Sequence, residues 1–180
     1  KGSIVGERFV THPLVRKVCF TGSTEVGKGI MAGCADQVKR VTLELGGKSA
    51  NVVFADADIA KAAASAPGAV FDNAGQDCCA RSRLLVQRSV LDEFLSRLEP
   101  AVNNFRVADP RDPETNMGPL ISAHQRDSVQ SYIDNAEVVV RGSAPEGAGY
   151  WCAPTVLTTD DPFDKAWREE IFGPVVTVMA

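Results

Sequence analysis

The chain has 180 residues, of which 44% are hydrophobic and 23% are charged, and its formal net charge is −4. This composition is typical of a soluble globular protein, and the length is sufficient for a sizeable hydrophobic core. Because no block of like charges occurs, the sequence argues against nucleic-acid binding and against a role at a membrane surface. No apolar run is long enough to span a bilayer, and we expect no signal peptide.

The five cysteines are odd in number and do not have the spacing of a zinc site. The two histidines, His12 and His124, are too few and too far apart in the sequence for a metal centre. We therefore expect free thiols, no bound metal and a reducing, cytoplasmic location.

The first predicted elements are a strand, a glycine turn and a helix. Residues 1–13 show little periodicity and predict no regular element. An apolar strand over 16–20 runs into the glycine-containing turn 21–28, and a helix continues to about Ala35. That order directs backbone N–H groups and the positive helix end towards a phosphate. The turn matches neither the P-loop nor the six-residue dinucleotide fingerprint, so an ordinary strand–turn–helix connection remains open.

Two further strands and a helix follow. The strand over 39–45 carries Glu44 immediately before two glycines, and residues 51–54 predict the next strand. Asp56 is the predicted N-cap of a helix that covers residues 59–71.

Cys78 and Cys79 lie in a short polar loop, residues 73–81, between that helix and the next strand. A thiolate is a strong nucleophile, and backbone N–H groups in such a loop can favour it. Cysteines are also common as small buried hydrophobic residues, and the pair alone leaves that interpretation open. The elements between Glu44 and Cys78 are expected to bring both residues to the same end of a sheet.

The remaining elements alternate between strands and helices. Strands are predicted over residues 84–87, 137–140, 155–157 and 175–179, and helices over 90–105 and 122–133. Pro100 predicts a kink or break in the first of these helices. The alternation predicts an α/β fold with largely parallel sheets and flanking helices.

Several stretches together resemble the aldehyde dehydrogenase superfamily. The glutamate motif is Leu-Glu-Leu-Gly-Gly-Lys at residues 43–48, and the cysteine motif Gly-Gln-x-Cys-x-Ala is matched at 75–80. The turn at 20–27 resembles the family's Phe-Thr-Gly-Ser-Thr-x-x-Gly. Residues 169–175, Glu-Glu-Ile-Phe-Gly-Pro-Val, would alone be typical of an acidic helix end that Gly-Pro terminates. The resemblance extends over about 15–175.

The resemblance implies an aldehyde dehydrogenase-like fold with a variant Rossmann portion and a catalytic domain. Residues 1–46 would form the C-terminal part of the NAD(P)-binding domain. Residues 47–180 would form the catalytic, thiol-bearing domain, incomplete at its C-terminus. Because aldehyde dehydrogenases are much longer, we expect the chain to be a portion of such a protein.

The resemblance also implies the site residues. Cys78 would be the nucleophile and Glu44 the general base. The residues expected to bind NAD or NADP are Gly22, Ser23, Gly27, Leu45, Glu170 and Phe172. Asp77 and Cys79 would face the substrate, and the Asp77 carboxylate would either suit a cationic aldehyde or simply cap the loop.

The implied reaction is the oxidation of an aldehyde to a carboxylic acid with NAD(P)⁺, through a thiohemiacetal and a thioester on the cysteine. The presence of Glu44 favours the hydrolytic branch over the CoA-acylating one, and the full-length protein would be a homo-oligomer, either a dimer or a tetramer. The isolated 180-residue chain is expected to be inactive. One alternative is a catalytically inactive fragment that acts as a folded or oligomerising module. Another is a cysteine hydrolase, which is disfavoured because neither histidine lies in a motif suited to activating a thiol.

Overall fold

The computed structural model describes residues 1–180. The chain folds into two compact units, residues 1–46 and residues 47–180. The helices are α1 (Gly2–Thr11), α2 (Thr24–Ala35), α3 (Ile59–Phe71), α4 (Leu91–Asn103), α5 (Ala123–Ile133) and α6 (Lys165–Arg168). The strands are β1 (Lys17–Gly22), β2 (Arg40–Leu45), β3 (Ala50–Val53), β4 (Arg83–Val86), β5 (Glu137–Arg141), β6 (Thr155–Thr158) and β7 (Val175–Met179). None of the helices combines the length and the apolar character that crossing a membrane requires.

In the N-terminal unit, residues 1–46, β1 and β2 form a parallel two-stranded sheet. Thr21 pairs with Glu44, so the glycine turn starts beside the end of β2. Helix α2 follows this turn, and α1 packs closely on α2: a Cβ on Gly33 would lie 2.6 Å from Val10 Cγ1.

The expectation that residues 1–13 form no regular element is wrong, because α1 occupies most of them. Its glycines and β-branched residues lower the helix propensity and obscure the helical period. A distant side chain stabilises the end of the helix: Lys39 Nζ donates to the carbonyl oxygens of Phe9 (3.1 Å) and His12 (2.7 Å). These bonds satisfy acceptors near the C-terminus of α1.

The C-terminal unit, residues 47–180, is built on a five-stranded sheet with the strand order β3-β4-β7-β6-β5. The first four strands of that order are parallel, and β5 pairs antiparallel with β6 at one edge. The central strand β7 is almost continuously apolar and buried, which is typical of a parallel strand covered on both faces. Leu84, Phe94, Leu98 and Val156 are fully buried in the core beside this sheet. The predicted fold class, α/β with largely parallel sheets and flanking helices, is confirmed.

Two local expectations in this unit are corrected. The N-cap of α3 is Asp58 rather than Asp56: Asp58 Oδ1 accepts a hydrogen bond from the Lys61 amide at 3.0 Å. Asp56 falls two residues too early, in the turn that precedes the helix. Helix α4 does not break at Pro100 but continues to Asn103, and the Pro100 carbonyl accepts from the Asn104 amide at 3.0 Å. Tertiary packing of one apolar face maintains the helix despite the missing proline N–H.

Candidate active site

The glycine turn of the N-terminal unit places Ser23 at the start of α2. Ser23 is the N-cap of this helix, and its Oγ accepts a hydrogen bond from the Val26 amide at 3.3 Å. Gly27 is buried in the first turns of α2, where a Cβ would lie 2.7 Å from Leu45 Cδ2. The predicted turn residues Gly22, Ser23 and Gly27 are thus brought together with Leu45 in one small region. Their predicted contacts with a cofactor remain a prediction.

An apolar cleft of about 710 Å³ lies beside this turn, between α1, β1 and α2. It is lined by Gly2, Ser3, Gly6, Glu7, Val10, Phe20, Val26, Gly29 and Ile30. Sequence reasoning missed this cleft because it missed α1, which forms one of its walls. The glycines of α1 and α2 contribute no side chains and so leave room for the cleft. Their recurrence in residues 1–33 was the one feature of the sequence that could have indicated it.

Glu44 lies on β2, and its side chain is exposed. The expectation that Glu44 and Cys78 are returned to one end of a single sheet is wrong. Strand β2 pairs only with β1, whereas Cys78 precedes β4 of the five-stranded sheet. The cause is the break in strand pairing at the two glycines that follow Leu45, where the first unit ends.

In the C-terminal unit, the loop that presents the cysteines has an unusual backbone. Asn73 and Ala74 have positive φ angles of 50° and 57°, and Gly75 follows with a φ of 67°. Left-handed backbone is unfavourable for residues with a Cβ, so surrounding contacts have to hold it. Asn73 Nδ2 donates to the Gln76 carbonyl at 2.9 Å, and the Gln76 side chain accepts from the Ile121 amide at 3.0 Å. The chain is thereby fixed in direction just before Cys78.

Both thiols of this loop are exposed, and their Sγ atoms lie 3.9 Å apart. The pKa of the Cys78 thiol is raised, first by its hydrogen bond with Cys79 and by the charge that Cys79 can carry, then by desolvation and by the Asp77 carboxylate. The backbone N–H of Cys78 opposes these effects but is the smallest of them. The loop therefore does not favour the Cys78 thiolate by itself, contrary to the expectation from its backbone donors.

Asp77 acts as a cap within the same loop, since its Oδ1 accepts a hydrogen bond from the Cys79 amide at 3.0 Å. Asp77 and Cys79 also line a polar cleft of about 350 Å³ against α3, and Cys78 is not part of its lining. One ligand atom from each of Asp77, Cys78 and Cys79 lies within 4.8 Å of the others, a spacing that a metal ion could use. Because metals bind the thiolate, the raised pKa of Cys78 disfavours this use at neutral pH.

The segment with Glu170 and Phe172 is held by α5. Phe172 has a positive φ of 55°, and Gln125 Nε2 donates to its carbonyl oxygen at 2.8 Å. Tyr132 Oη donates to Glu169 Oε2 at 2.7 Å. Burial, this hydrogen bond and the negative charge of Glu169 together raise the pKa of Tyr132 to about 12. Helix α5 thus holds the side chain of Glu169 on one side of Glu170 and the backbone of Phe172 on the other.

The structure brings the cysteine loop and the Glu170 segment together. A Cβ on Gly75 would lie 2.0 Å from the Gly173 carbonyl oxygen, so the two backbones touch. A Cβ on Gly47 would lie 3.8 Å from the Cys78 carbonyl oxygen, and the Gly47 amide donates to Glu170 Oε1 at 3.1 Å. Of the predicted site residues, the Cys78 backbone and the Glu170 carboxylate therefore both lie close to Gly47.

Comparison with known proteins agrees with these motifs. The model of the aldehyde dehydrogenase family matches residues 1–180. The chain belongs to the aldehyde dehydrogenase family. An aldehyde dehydrogenase of Aspergillus niger is 44% identical over 98% of this chain, and aminoaldehyde dehydrogenase 2 of Pisum sativum is 40% identical over 98%. In both relatives the matched region is 37% of the full length, so this aldehyde dehydrogenase chain spans little more than a third of its curated relatives.

Solved aldehyde dehydrogenases have the same fold. The betaine aldehyde dehydrogenase of Staphylococcus aureus, in complex with NAD⁺, superposes with a TM-score of 0.92 at 41% identity, over 99% of this chain and 37% of its own. An NAD-dependent aldehyde dehydrogenase from Sinorhizobium meliloti gives a TM-score of 0.93 at 39% identity, over 99% of this chain and 36% of its own. The predicted recognition of the family is confirmed.

Sequence reasoning missed several residues that build the site of this aldehyde dehydrogenase chain. Gln125 and Tyr132 hold the Glu170 segment, and Gly47 joins it to the cysteine loop. Gln125 and Tyr132 are seven positions apart on α5, which places them on one face of that helix. No local signal shows what that face contacts.

Proposed function

We propose that this chain is the thiol-bearing part of an enzyme that oxidises an aldehyde to a carboxylic acid with NAD. One observation carries the proposal: Gly47 lies between the exposed Cys78 loop and Glu170. A Cβ added to Gly47 would lie 3.8 Å from the Cys78 carbonyl oxygen, and the Gly47 amide donates a hydrogen bond to Glu170 Oε1 at 3.1 Å. The backbone of the residue that carries the nucleophilic thiol and a carboxylate that can accept hydrogen bonds from a ribose thus both lie close to Gly47.

The residues of each unit fit one end of NAD. In the N-terminal unit, the start of α2 and the Ser23 hydroxyl suit a phosphate, and the apolar cleft beside Val26 has room for a planar ring. In the C-terminal unit, Glu170 uses Oε1 for the Gly47 amide, which leaves Oε2 for a ribose hydroxyl. Phe172 is 39% exposed, and an exposed aromatic residue suits a contact with the nicotinamide. Relatives solved with NAD⁺ bound favour NAD over NADP.

The chemistry begins with the Cys78 thiolate, which adds to the aldehyde carbon and forms a thiohemiacetal. The backbone N–H of Cys78 can donate to the oxyanion that develops on the former carbonyl oxygen. NAD, when bound, supplies the acceptor for the hydride that leaves this carbon, and a thioester on Cys78 remains. Glu44 then removes a proton from water, the hydroxide attacks the thioester carbon, and the carbon–sulfur bond breaks, which releases the carboxylic acid and restores the Cys78 thiolate.

The raised pKa of Cys78 gives Glu44 a second role. Because Cys79 and Asp77 disfavour the Cys78 thiolate, the thiol needs a base or a nearby positive charge before it attacks. We propose that Glu44 also takes the thiol proton. The alternative reading, a cysteine hydrolase without a nicotinamide, lacks any histidine suited to that step.

For the substrate, we propose a cationic aldehyde. The Asp77 carboxylate supports this, because it lies directly before the nucleophile and only one of its oxygens caps the loop, at the Cys79 amide. Relatives named as an aminoaldehyde dehydrogenase, from Pisum sativum, and a betaine aldehyde dehydrogenase, from Atriplex hortensis, agree with this class. Asp77→Asn should raise the KM for a cationic aldehyde but not for a neutral aldehyde of the same size. An equal change in both KM values would leave Asp77 as a loop cap alone.

The test of the proposed function compares Cys78→Ala with Cys79→Ala in the full-length protein. Both substitutions remove one exposed thiol from the same loop, so each is the structural control of the other. With NAD and a simple aldehyde, Cys78→Ala should abolish NADH formation, whereas Cys79→Ala should retain a substantial part. Equal loss in both variants, with both folded, would contradict the assignment of the nucleophile.

The 180-residue chain by itself is proposed to be a folded module without turnover. Strand β3 is an edge of the five-stranded sheet, and Val52 and Phe54 on and beside it are 53% and 62% exposed. An open strand edge with apolar side chains promotes association, and the full-length protein is proposed to be a homo-oligomer in a reducing cytoplasm. Micromolar NAD affinity by calorimetry, or a strictly monomeric species in solution, would contradict the proposal for the isolated chain.

A further inference from the structure

Lys48 is a buried cation whose role the proposed chemistry does not explain. It follows Gly47 in the glutamate motif, and its Nζ is inaccessible to solvent and has no hydrogen-bond partner. Leaving a charged donor buried and unpaired costs free energy. The side chain therefore occupies a position that packing alone does not favour.

The backbone around Lys48 connects two charged groups. The Gly47 amide donates to Glu170 Oε1 at 3.1 Å, and Arg83 Nη2 donates to the Lys48 carbonyl oxygen. Arg83 is itself held over the Trp167 ring, with 5.4 Å between its guanidinium carbon and the ring centroid. The backbone of Gly47 and Lys48 is thus bonded both to the guanidinium of Arg83 and to the carboxylate of Glu170.

Four charged groups act on the Lys48 ammonium. Burial is the largest effect on its pKa and lowers it, and the positive charge of Arg83 lowers it further. The carboxylates of Glu170, Asp164 and Glu169 act in the opposite direction, with Glu170 the strongest of the three. The resulting pKa of Lys48 is about 8, so the side chain changes charge within the range in which enzymes are assayed.

We propose that Lys48 is a positioning residue for Glu170. The positive charge of Lys48 holds the Glu170 carboxylate in the orientation that accepts the ribose hydroxyls of NAD. This inference rests on the proposed function, because it assumes that Glu170 binds the nicotinamide riboside end of the cofactor. Lys48 makes no direct hydrogen bond to Glu170, so it attracts the carboxylate without occupying its acceptor atoms. Oε1 stays with the Gly47 amide, and Oε2 stays free for the ribose.

The pH dependence follows from this arrangement. Below about pH 8 Lys48 is charged and attracts the Glu170 carboxylate, and above about pH 8 this attraction is lost. The Gly47–Glu170 hydrogen bond persists, because it uses the backbone of the neighbouring residue. We therefore expect weaker NAD binding at alkaline pH, with little change in the chemical step.

The experiment measures the Kd of NAD by calorimetry, and KM and kcat by NADH formation, from about pH 6.5 to 9.5 in the full-length protein. The variants are Lys48→Met, which removes the charge at similar length, and Lys48→Arg, which keeps the charge at every pH. Lys61→Met, an exposed lysine on α3, is the matched control.

For the unchanged protein and for Lys61→Met, the Kd of NAD should rise roughly two- to fivefold as the pH passes 8, the range of a partly screened ion pair. At every pH, Lys48→Met should have the higher Kd of NAD that the unchanged protein shows only above pH 8. Its kcat should fall by a smaller factor than its KM rises. Lys48→Arg should lose the alkaline rise if it folds.

The inference would be overturned if Lys48→Met binds NAD as the unchanged protein does, or if Lys48→Met keeps the same pH profile. The proposed function has its own test, independent of Lys48. It would be overturned if the unchanged protein did not oxidise aldehydes with NAD, however its Kd for NAD depends on pH. Absence of NAD binding by the unchanged full-length protein would overturn both.

Discussion

The contact between the cysteine loop and the Gly173 segment makes Gly75 the glycine of the C-terminal unit that leaves the least room for a Cβ. A Cβ at Gly75 would lie 2.0 Å from the Gly173 carbonyl oxygen and 2.9 Å from the Pro174 nitrogen. These are backbone atoms, which cannot rotate away as the end of a flexible side chain can. The Gly75 φ of 67° adds a conformational cost for any residue with a Cβ.

The effect of Gly75→Ala on the free energy of unfolding has two contributions, the left-handed backbone conformation and the clash with backbone atoms. Left-handed backbone costs about 1–2 kcal/mol, and displacing packed backbone adds roughly 1–3 kcal/mol, as overpacking does. We therefore expect the free energy of unfolding of the C-terminal unit to fall by about 2–5 kcal/mol. With a urea m-value of about 1–3 kcal/mol per molar, the unfolding midpoint falls by roughly 1 M or more.

Urea unfolding followed by tryptophan fluorescence measures this change, because the two tryptophans, Trp151 and Trp167, both lie in the C-terminal unit. Gly68→Ala is the control, since Gly68 lies within α3 and a Cβ there would meet no atom within 4 Å. It should stabilise the unit by up to about 1 kcal/mol, the gain in helix propensity. A Gly75→Ala variant within about 0.5 kcal/mol of the unchanged chain would refute the close approach of the two segments.

Three further predictions follow from the charged groups. Lys48→Met should raise the free energy of unfolding by up to about 3 kcal/mol below pH 8, because the unchanged chain buries a charge there. The difference in free energy of unfolding between Lys48→Met and the unchanged chain should shrink as the pH rises from 8 towards 10.5. Urea unfolding at each pH measures it, and a difference that stays constant would contradict the prediction. The raised pKa of Tyr132, about 12, means that the unchanged chain loses stability relative to Tyr132→Phe as the pH rises from 10 to 12; parallel pH curves for the two proteins would be inconsistent with this. Glu44→Gln in the full-length protein should give one burst of NADH per site, slower than in the unchanged protein because Glu44 also takes the thiol proton, then an acyl adduct on Cys78 and turnover slowed about 10²–10⁴-fold; stopped-flow absorbance and intact-mass analysis that show neither burst nor adduct would instead make thiol deprotonation the main role of Glu44.

The sequence alone determined the α/β class, most strand positions and the cysteine and glutamate motifs. These features are local: apolar runs of four or five residues, such as β7, report burial directly, and glycine turns mark where strands end. The N-cap of α3 was placed two residues too early because Asp56 and Asp58 are equally good caps in isolation. Only the turn that precedes the helix selects Asp58.

The tertiary structure decided the rest, because it depends on partners that are distant in the chain. Helix α1 is completed by Lys39, and the Glu170 segment is held by Gln125 and Tyr132 of α5. The protonation state of Lys48 also depends on distant residues. Nothing in the sequence distinguishes Lys48 from a surface lysine, but in the structure burial and the charge of Arg83 lower its pKa to about 8. Residue type fixes which chemistry is possible, and only the packing of distant segments sets the protonation state and orientation in which that chemistry is used.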